Sequence, residues 1–217
     1  MDTLKDEREA RLHKTDLKQL WKPLYAAPRD RFVLIDIPPI DYLTVEGAGD
    51  PNTAPAYREA VEALYGAAYG LKFLAKARIG RDHVVPPLEG LWWADDMDDF
   101  IARRKDRWRW RMMIALPPWI DSALIAEAVT AARAKRPASD PTTVVVRRLE
   151  EGRVAQILHV GSYDDEGPVL ARLHREVIPA LGLVETGRHH EIYLSDPRRV
   201  PAARLKTLLR QPVGLPG

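Results

Sequence analysis

Apolar residues alternate with polar ones in short runs, and in longer stretches they recur at three- and four-residue steps. Proline and glycine separate the runs. Phe32-Val33-Leu34-Ile35-Asp36-Ile37 predicts a strand stopped by Pro38-Pro39, and 42–46 a second strand ending at Gly47. Tyr57, Ala60, Val61, Leu64, Ala68, Leu71 and Ala75 then mark one face of a helix. Residues 88–93 and 108–116 predict two more strands, the latter closed by Pro117-Pro118. A second amphipathic helix follows, capped by Asp121 or Ser122, with Leu124, Ile125, Ala128, Val129 and Ala132 on one side. Arg136-Pro137-Ala138-Ser139-Asp140-Pro141 reads as a linker. Beyond it the pattern restarts: strands at 143–146 and 154–160, a turn at 162–167, a helix from Pro168, and strands at 189–194 and 205–210, the last closed by Pro212.

Each half therefore reads strand, strand, helix, strand, strand, with Gly47 answering to Gly161, Glu89 to Glu191 and Pro117 to Pro212. The expected fold is α+β. Duplicated βαββ (strand-helix-strand-strand) modules form a pseudo-twofold sheet with helices on one face and a ligand cleft on the other. The expected organisation is an N-terminal arm at 1–31, a first βαββ half plus linking helix at 32–136, and a second half at 142–213. Within the arm, Leu17, Leu20, Trp21 and Leu24 have helical spacing and predict one short packed turn.

Composition narrows the class. The chain has 217 residues, 33 basic against 31 acidic, a net charge of +2 and no cysteine. A core of useful size is available without staples. Disulfides, thiolate metal sites and cysteine nucleophiles are excluded. The near balance of charge gives no polyanion-binding signal, and no apolar run reaches the ~20 residues of a membrane span. The charged start, Met1-Asp2-Thr3-Leu4-Lys5-Asp6-Glu7-Arg8, has no signal-peptide stretch, so a cytoplasmic location is expected.

Strand parity sorts the polar candidates. His189, Glu191 and Tyr193 share one face, and Ile192 and Leu194 the other, expected to meet the helices. Glu89, Leu91 and Trp93 share a face, with Leu88 and Trp92 opposite. One glutamate from each half is thus expected in a common cleft; a solvated sheet edge with arginines nearby is the plainer alternative. Trp108-Arg109-Trp110-Arg111 with Arg103, Arg104, Lys105 and Arg107 is the one basic-aromatic cluster. Alternation puts Trp108, Trp110, Met112 and Ile114 together as packing or pocket residues, and Asp95, Asp96, Asp98 and Asp99 balance the arginines, which argues against nucleic acid. Gly47-Ala48-Gly49 lacks the third glycine of a dinucleotide loop, and no metal-ligand spacing appears. Adjacent His189 and His190 point to opposite faces, so they do not chelate one ion. Tyr65 and Tyr69, one helical turn apart, either pack or reach the cleft.

Several segments together resemble the GyrI-like proteins. They are Lys14-Thr15-Asp16-Leu17, Gly47-Ala48-Gly49-Asp50-Pro51-Asn52, Ala63-Leu64-Tyr65 through Leu71-Lys72-Phe73, and Glu89-Gly90-Leu91-Trp92-Trp93. His159-Val160-Gly161-Ser162-Tyr163, His189-His190-Glu191-Ile192-Tyr193-Leu194 and Leu205-Lys206-Thr207 to Val213 continue the series. With no DNA-binding domain ahead of it, the chain resembles the stand-alone branch, which includes cyclopropanoid cyclopropyl hydrolases. It departs from the usual pattern at Leu116-Pro117-Pro118-Trp119, where a glutamine before the proline is commoner. The resemblance implies a cleft for planar aromatic, lipophilic or cationic small molecules, with Glu191 at the position of a floor glutamate. On that basis Glu191 and Tyr193 are the expected catalytic pair. Glu89, Trp93, Trp110, Tyr65, Tyr163 and His189 are the expected ligand-binding residues. The expected chemistry is hydrolysis of DNA-alkylating cyclopropanoids by a glutamate-assisted water, with no cofactor and no metal. The alternative is a non-catalytic drug-sequestering or effector-sensing protein. A small molecule is the expected partner rather than nucleic acid or membrane, and edge strands leave a homodimer open.

Overall fold

A computed structural model describes residues 14–96, 104–137, 140 and 142–217. The candidates Asp98, Asp99 and Arg103, and the first 13 residues of the arm, lie outside the described residues. The strands are β1 (Val33–Ile37), β2 (Ile40–Ala48), β3 (Glu89–Ala94), β4 (Trp108–Ala115), β5 (Val145–Leu149), β6 (Gly152–Val160), β7 (Val184–Glu185), β8 (His189–Tyr193) and β9 (Lys206–Gly214). The helices are α1 (Leu17–Leu20), α2 (Pro55–Ile79), α3 (Ser122–Ala134) and α4 (Gly167–Arg172), the last continuing through a π-helical turn at Leu173–Val177 into α5 (Ile178–Ala180).

The strands form one antiparallel sheet in the order β1-β6-β9-β8-β3-β4-β2-β5, with β7 beside β9. The trios β2-β4-β3 and β6-β9-β8 are the sheets of the two βαββ units, and they meet at the β3–β8 pair. The opening strand of each half crosses over: β1 pairs with β6 of the second unit, and β5 with β2 of the first. Each half thereby supplies the outer edge of the other.

Both faces of the sheet are covered, by different material. α2 presents a stripe of Ala60, Ala63, Leu64, Ala67, Ala68, Leu71 and Ala75 to one face. Alanine is the strongest helix former and its small side chain lets the helix sit close. Pro55 opens α2, and Gly80, at φ +66°, closes it in the left-handed conformation. α3, capped by Asp121 on the Leu124 amide at 2.8 Å, adds Leu124, Ile125 and Ala128. These pack on Leu43, Val45, Trp92, Trp110, Met112 and Ile114. Leu173 and Ile178, on the other helical segment, pack on Ala155 and Val213. The opposite face is closed by the N-terminal segment: Leu17, Leu24 and Tyr25 bury Ile37, Tyr42, Leu91, Met113, Val154, Ile192 and Leu208. The predicted short turn at 17–24 is therefore a lid over half of the core.

Several strand ends differ from expectation, among them β5, which runs over Val145–Leu149 rather than 143–146, and the ends expected at Gly47 and Pro212. β2 runs past Gly47 to Ala48, because Gly47 is a packing position: a Cβ there would lie 2.1 Å from the Trp110 ring. β9 runs through Pro212, which pairs with Val154 in register while its carbonyl accepts from the Thr186 amide at 3.1 Å. Trp110 is fully buried and has nowhere to retreat. Gly47→Ala is therefore expected to cost about 1–3 kcal/mol by overpacking, read as a lowered urea midpoint at constant slope. An unchanged midpoint would show that the ring has room.

Candidate functional site

A cleft of about 1480 Å³ opens on the helical face, between α2 and the α4 segment, over the junction of β3 and β8. This corrects the expectation that the cleft lies on the face away from the helices. The other face is covered by Leu17, Leu24 and Tyr25 of the N-terminal segment. The grouping of His189, Glu191 and Tyr193 holds, but their side is the helical one, and Ile192 faces the N-terminal lid.

Glu191, at the middle of β8, stands opposite Gly90 of β3. A Cβ at Gly90 would lie 2.8 Å from Trp92 Nε1 and 3.2 Å from the Met112 sulfur, so the glycine makes room for those two side chains. Glu191 Oε2 accepts the Tyr193 hydroxyl at 2.7 Å, and the Tyr193 oxygen in turn accepts Trp92 Nε1–H at 2.9 Å. Oε1 lies 3.5 Å from His189 Nε2. The Glu191 side chain keeps 13% exposure, so it meets the cleft but little bulk water. Aromatic rings line the rest. Tyr57 stacks on Trp92 at 6.1 Å, Trp108 meets Trp92 edge-on at 5.8 Å, and Tyr163 meets Tyr193 edge-on at 5.6 Å.

The tyrosines are held in their protonated forms. Burial and then the Glu191 charge raise Tyr193 well above its ordinary value and raise Tyr57 likewise. Burial, with the Glu166 and Glu191 charges, pushes Tyr163 up to about 12, and burial with the Tyr69 hydroxyl raises Tyr65. Every phenol around the carboxylate is thus a donor at neutral pH. Tyr193 has its proton on Glu191, which makes it a positioning group for the carboxylate. Tyr57, Tyr65, Tyr69 and Tyr163 also line the cleft, and Tyr65 and Tyr163 are two of the hydroxyls that can address a ligand. Charges of both signs stand at the mouth, Arg58, Lys105 and Arg175 among the bases and Glu62, Glu185 and Asp196 among the acids.

Of the expected site residues, Glu191, Tyr193, Tyr65 and Tyr163 line this cleft, and His189 lies beside Glu191, two residues earlier on the same strand. Glu89, Trp93 and Trp110 do not line it. Glu89 pairs with Ile192 and Leu91 with His190, so Glu89 and Trp93 face the N-terminal lid. There Glu89 accepts from the Tyr25 and Tyr42 hydroxyls and from His190, and Trp93 lies under the Arg188 guanidinium at 3.5 Å. The correspondence of Glu89 with Glu191 is off by one position, which in a pleated strand reverses the face. Trp110 is on the cleft side but fully buried beneath Tyr57, whose ring meets it edge-on at 5.3 Å. The cleft takes Trp92, Trp108 and Tyr57 instead. Their signal was present: Trp92 has the opposite parity to Trp93, and Tyr57 sits two helical turns before Tyr65. Among the described residues, no cluster of histidine, aspartate and glutamate is arranged to hold a metal ion, and no helix is long and apolar enough to cross a membrane.

A duplicated strand-helix-strand-strand sheet with an aromatic cleft at its seam defines a class of small-molecule-binding α+β proteins. The chain belongs to the GyrI-like family: residues 32–213 match the GyrI-like small molecule binding domain. An uncharacterized conserved protein from Listeria innocua has the same fold at 37% identity and TM-score 0.80, over 93% of this chain and 100% of that one. A hydrolase from Listeria innocua is similar at 36% identity and TM-score 0.78, again over 93% and 100%. The EcmrR C-terminal domain, at 12% identity and TM-score 0.52 over 86% of this chain and 98% of that one, shares the fold. No curated protein matches the chain.

Proposed function

We propose that the cleft binds planar lipophilic molecules and hydrolyses a cyclopropane conjugated to a dienone, with Glu191 as the general base. The observation that carries this reading is a carboxylate fixed by the Tyr193–Trp92 chain at the base of an aromatic cleft. The similar Listeria innocua hydrolase supports a reaction rather than storage alone.

Water held on Glu191 Oε1 attacks the cyclopropane methylene carbon and gives its proton to the carboxylate. The strained C–C bond breaks, and its electron pair flows through the dienone to the carbonyl oxygen, which becomes a phenolate. Tyr65 or Tyr163 donates to that oxygen as charge develops there. The proton on Glu191 then passes to the phenolate, so the sum is addition of one water. Trp92 and Trp108 hold the planar frame and exclude bulk solvent. The product is no longer electrophilic, so the activity detoxifies an alkylating agent.

The test is incubation of the purified protein with excess cyclopropanoid alkylator, following the ring-opened alcohol by mass spectrometry. Many product molecules per protein support a hydrolase. One equivalent bound without product supports a sequestering protein, with Glu191 then neutralising cationic ligands beside the tryptophans.

A further inference from the structure

The two helical walls of the cleft are held to the rest of the molecule unequally. On one side α2 buries seven residues between Ala60 and Ala75. On the other side no residue of α4 is buried; the buried positions are Glu166 just before it and Leu173 just after it. The segment is fastened further on, where Leu173 and Ile178 sit in a small cluster with Ala155 and Val213. Yet Gly167, Leu170, Ala171, His174 and Arg175 all line the cleft. An element with few buried apolar contacts opens locally at a lower free energy than one set in the core.

The helix is also irregular where it would have to bend. Pro179 has no N–H for the Arg175 carbonyl, and its ring crowds that oxygen. The chain takes up a π-helical turn at Leu173–Val177, closed by the Ile178 N–H on the Leu173 carbonyl. Single π turns of this kind interrupt helices mostly at functional sites. Arg172 lies over the Phe32 ring at 5.1 Å, and Phe32 packs on the Leu173–Ile178 cluster, so the C-terminal end of the wall is the anchored one. Two polar pairs tie the wall to its surroundings. His174 Nδ1 lies 2.6 Å from Glu185 Oε1 of β7. Lys105, from the turn that enters β4, donates to Asp164 at 3.1 Å, in the turn ahead of α4, and so joins the first half to the second across the seam.

We infer that α4 and the turn before it are the moving wall of the cleft, swinging about the π turn with the Lys105–Asp164 pair as the latch. Closed, the wall keeps bulk water from Glu191, whose side chain is 13% exposed. Open, it admits and releases the ligand. The motion needs only a surface ion pair to break, since the Asp164 side chain is 79% exposed. The purpose of the motion rests on the ligand-binding reading above; its existence does not.

Hydrogen exchange followed by mass spectrometry tests the wall without any ligand. Amides at 167–177 are expected to exchange at least about tenfold faster than those at 60–71 of α2. Lys105→Met should speed the α4 segment by a further two- to fivefold or so and leave α2 unchanged. Because the chain has no cysteine, Lys105→Cys/Asp164→Cys carries the only two thiols, and a short dimaleimide can join them. Locking is expected to slow both association and dissociation of the planar dye Hoechst 33258 at least about tenfold against the same protein unlinked, with little change in Kd. Exchange in the α4 segment as slow as in α2 overturns the inference, as does no response to Lys105→Met. Equal dye kinetics with and without the link also overturn it. If the wild type does not bind the dye, the ligand-binding reading fails, and the exchange comparison alone still decides whether the wall moves.

Discussion

Glu191→Gln is expected to lower turnover of a cyclopropanoid substrate by about 10²–10⁴-fold, the ordinary worth of a general base. The substitution keeps the shape and removes the basicity. The amide oxygen can still accept the Tyr193 hydroxyl in place of Oε2, so the contact that now measures 2.7 Å has a replacement. Ligand affinity for neutral planar molecules should therefore change little while kcat falls. Tyr193→Phe separates positioning from chemistry. It removes the donor to Glu191 and leaves Trp92 Nε1–H without its acceptor, but spares the carboxylate. Its expected signature is a smaller fall in kcat than Glu191→Gln, with a shifted pH profile. An undiminished rate in Glu191→Gln, measured under single-turnover conditions by mass spectrometry, sinks the assignment of the base. A loss of affinity equal to the loss of rate would instead mark Glu191 as a binding charge.

The elements of this fold were legible because its periodicities are strong. The α2 stripe from Ala60 to Ala75 and the duplicated order of strands could be read directly, and so could the parity that groups Glu191 with Tyr193. What parity does not reveal is which side a group faces. Ile192 and Leu194 are apolar because the N-terminal segment covers them, and Glu191 and Tyr193 are polar because they border a cleft under the helices. An apolar face normally points to the helices only when nothing else is available to bury it. Here Leu17, Leu24 and Tyr25 supply a second cover from a short, mostly polar stretch. The same missing piece misplaced Glu89. A glutamate at a strand start looks like a site residue until the partners that satisfy it, Tyr25, Tyr42 and His190, come from three separate parts of the chain. The exchange of β1 and β5 between halves was equally unreadable, because edge pairing depends on where distant strands end rather than on local pattern.

His190→Leu is expected to cost about 3–5 kcal/mol of stability, the usual penalty for stripping one partner from a buried charge network. His190 follows its neighbour His189 on β8 but points into the opposite face, where it is fully buried. Its Nδ1 lies 2.9 Å from Glu151 Oε1 and its Nε2 3.0 Å from Glu89 Oε2. Two carboxylates at the two ring nitrogens require two N–H donors, which is the imidazolium form. Arg210 completes the set, donating to Glu151 at 3.1 Å, to Gln156 at 3.2 Å and to the Leu24 carbonyl at 2.7 Å. Two anions and two cations thus balance, and the network ties the N-terminal lid and both halves together. Burial alone would lower the His190 pKa, but the Glu151 charge and the hydrogen bonds that His190 donates to both carboxylates outweigh it and hold it at about 9. Burial opposes ionisation of Glu151 as well, yet the charges and hydrogen bonds of His190 and Arg210 bring it to about 2. The His190 contribution is therefore complete below its ordinary value of 6.5 and is lost as pH rises through about 9. The Glu151 contribution is complete above 4.5 and is lost as pH falls through about 2. Urea unfolding of the wild type should show stability falling between pH 6.5 and 9, and His190→Leu should be less stable with that slope gone. If the variant keeps the slope, another group titrates there and the imidazolium assignment is wrong. Because His190 and Glu191 are consecutive on one strand, this network also fixes the strand that presents the carboxylate to the cleft on the other side of the sheet.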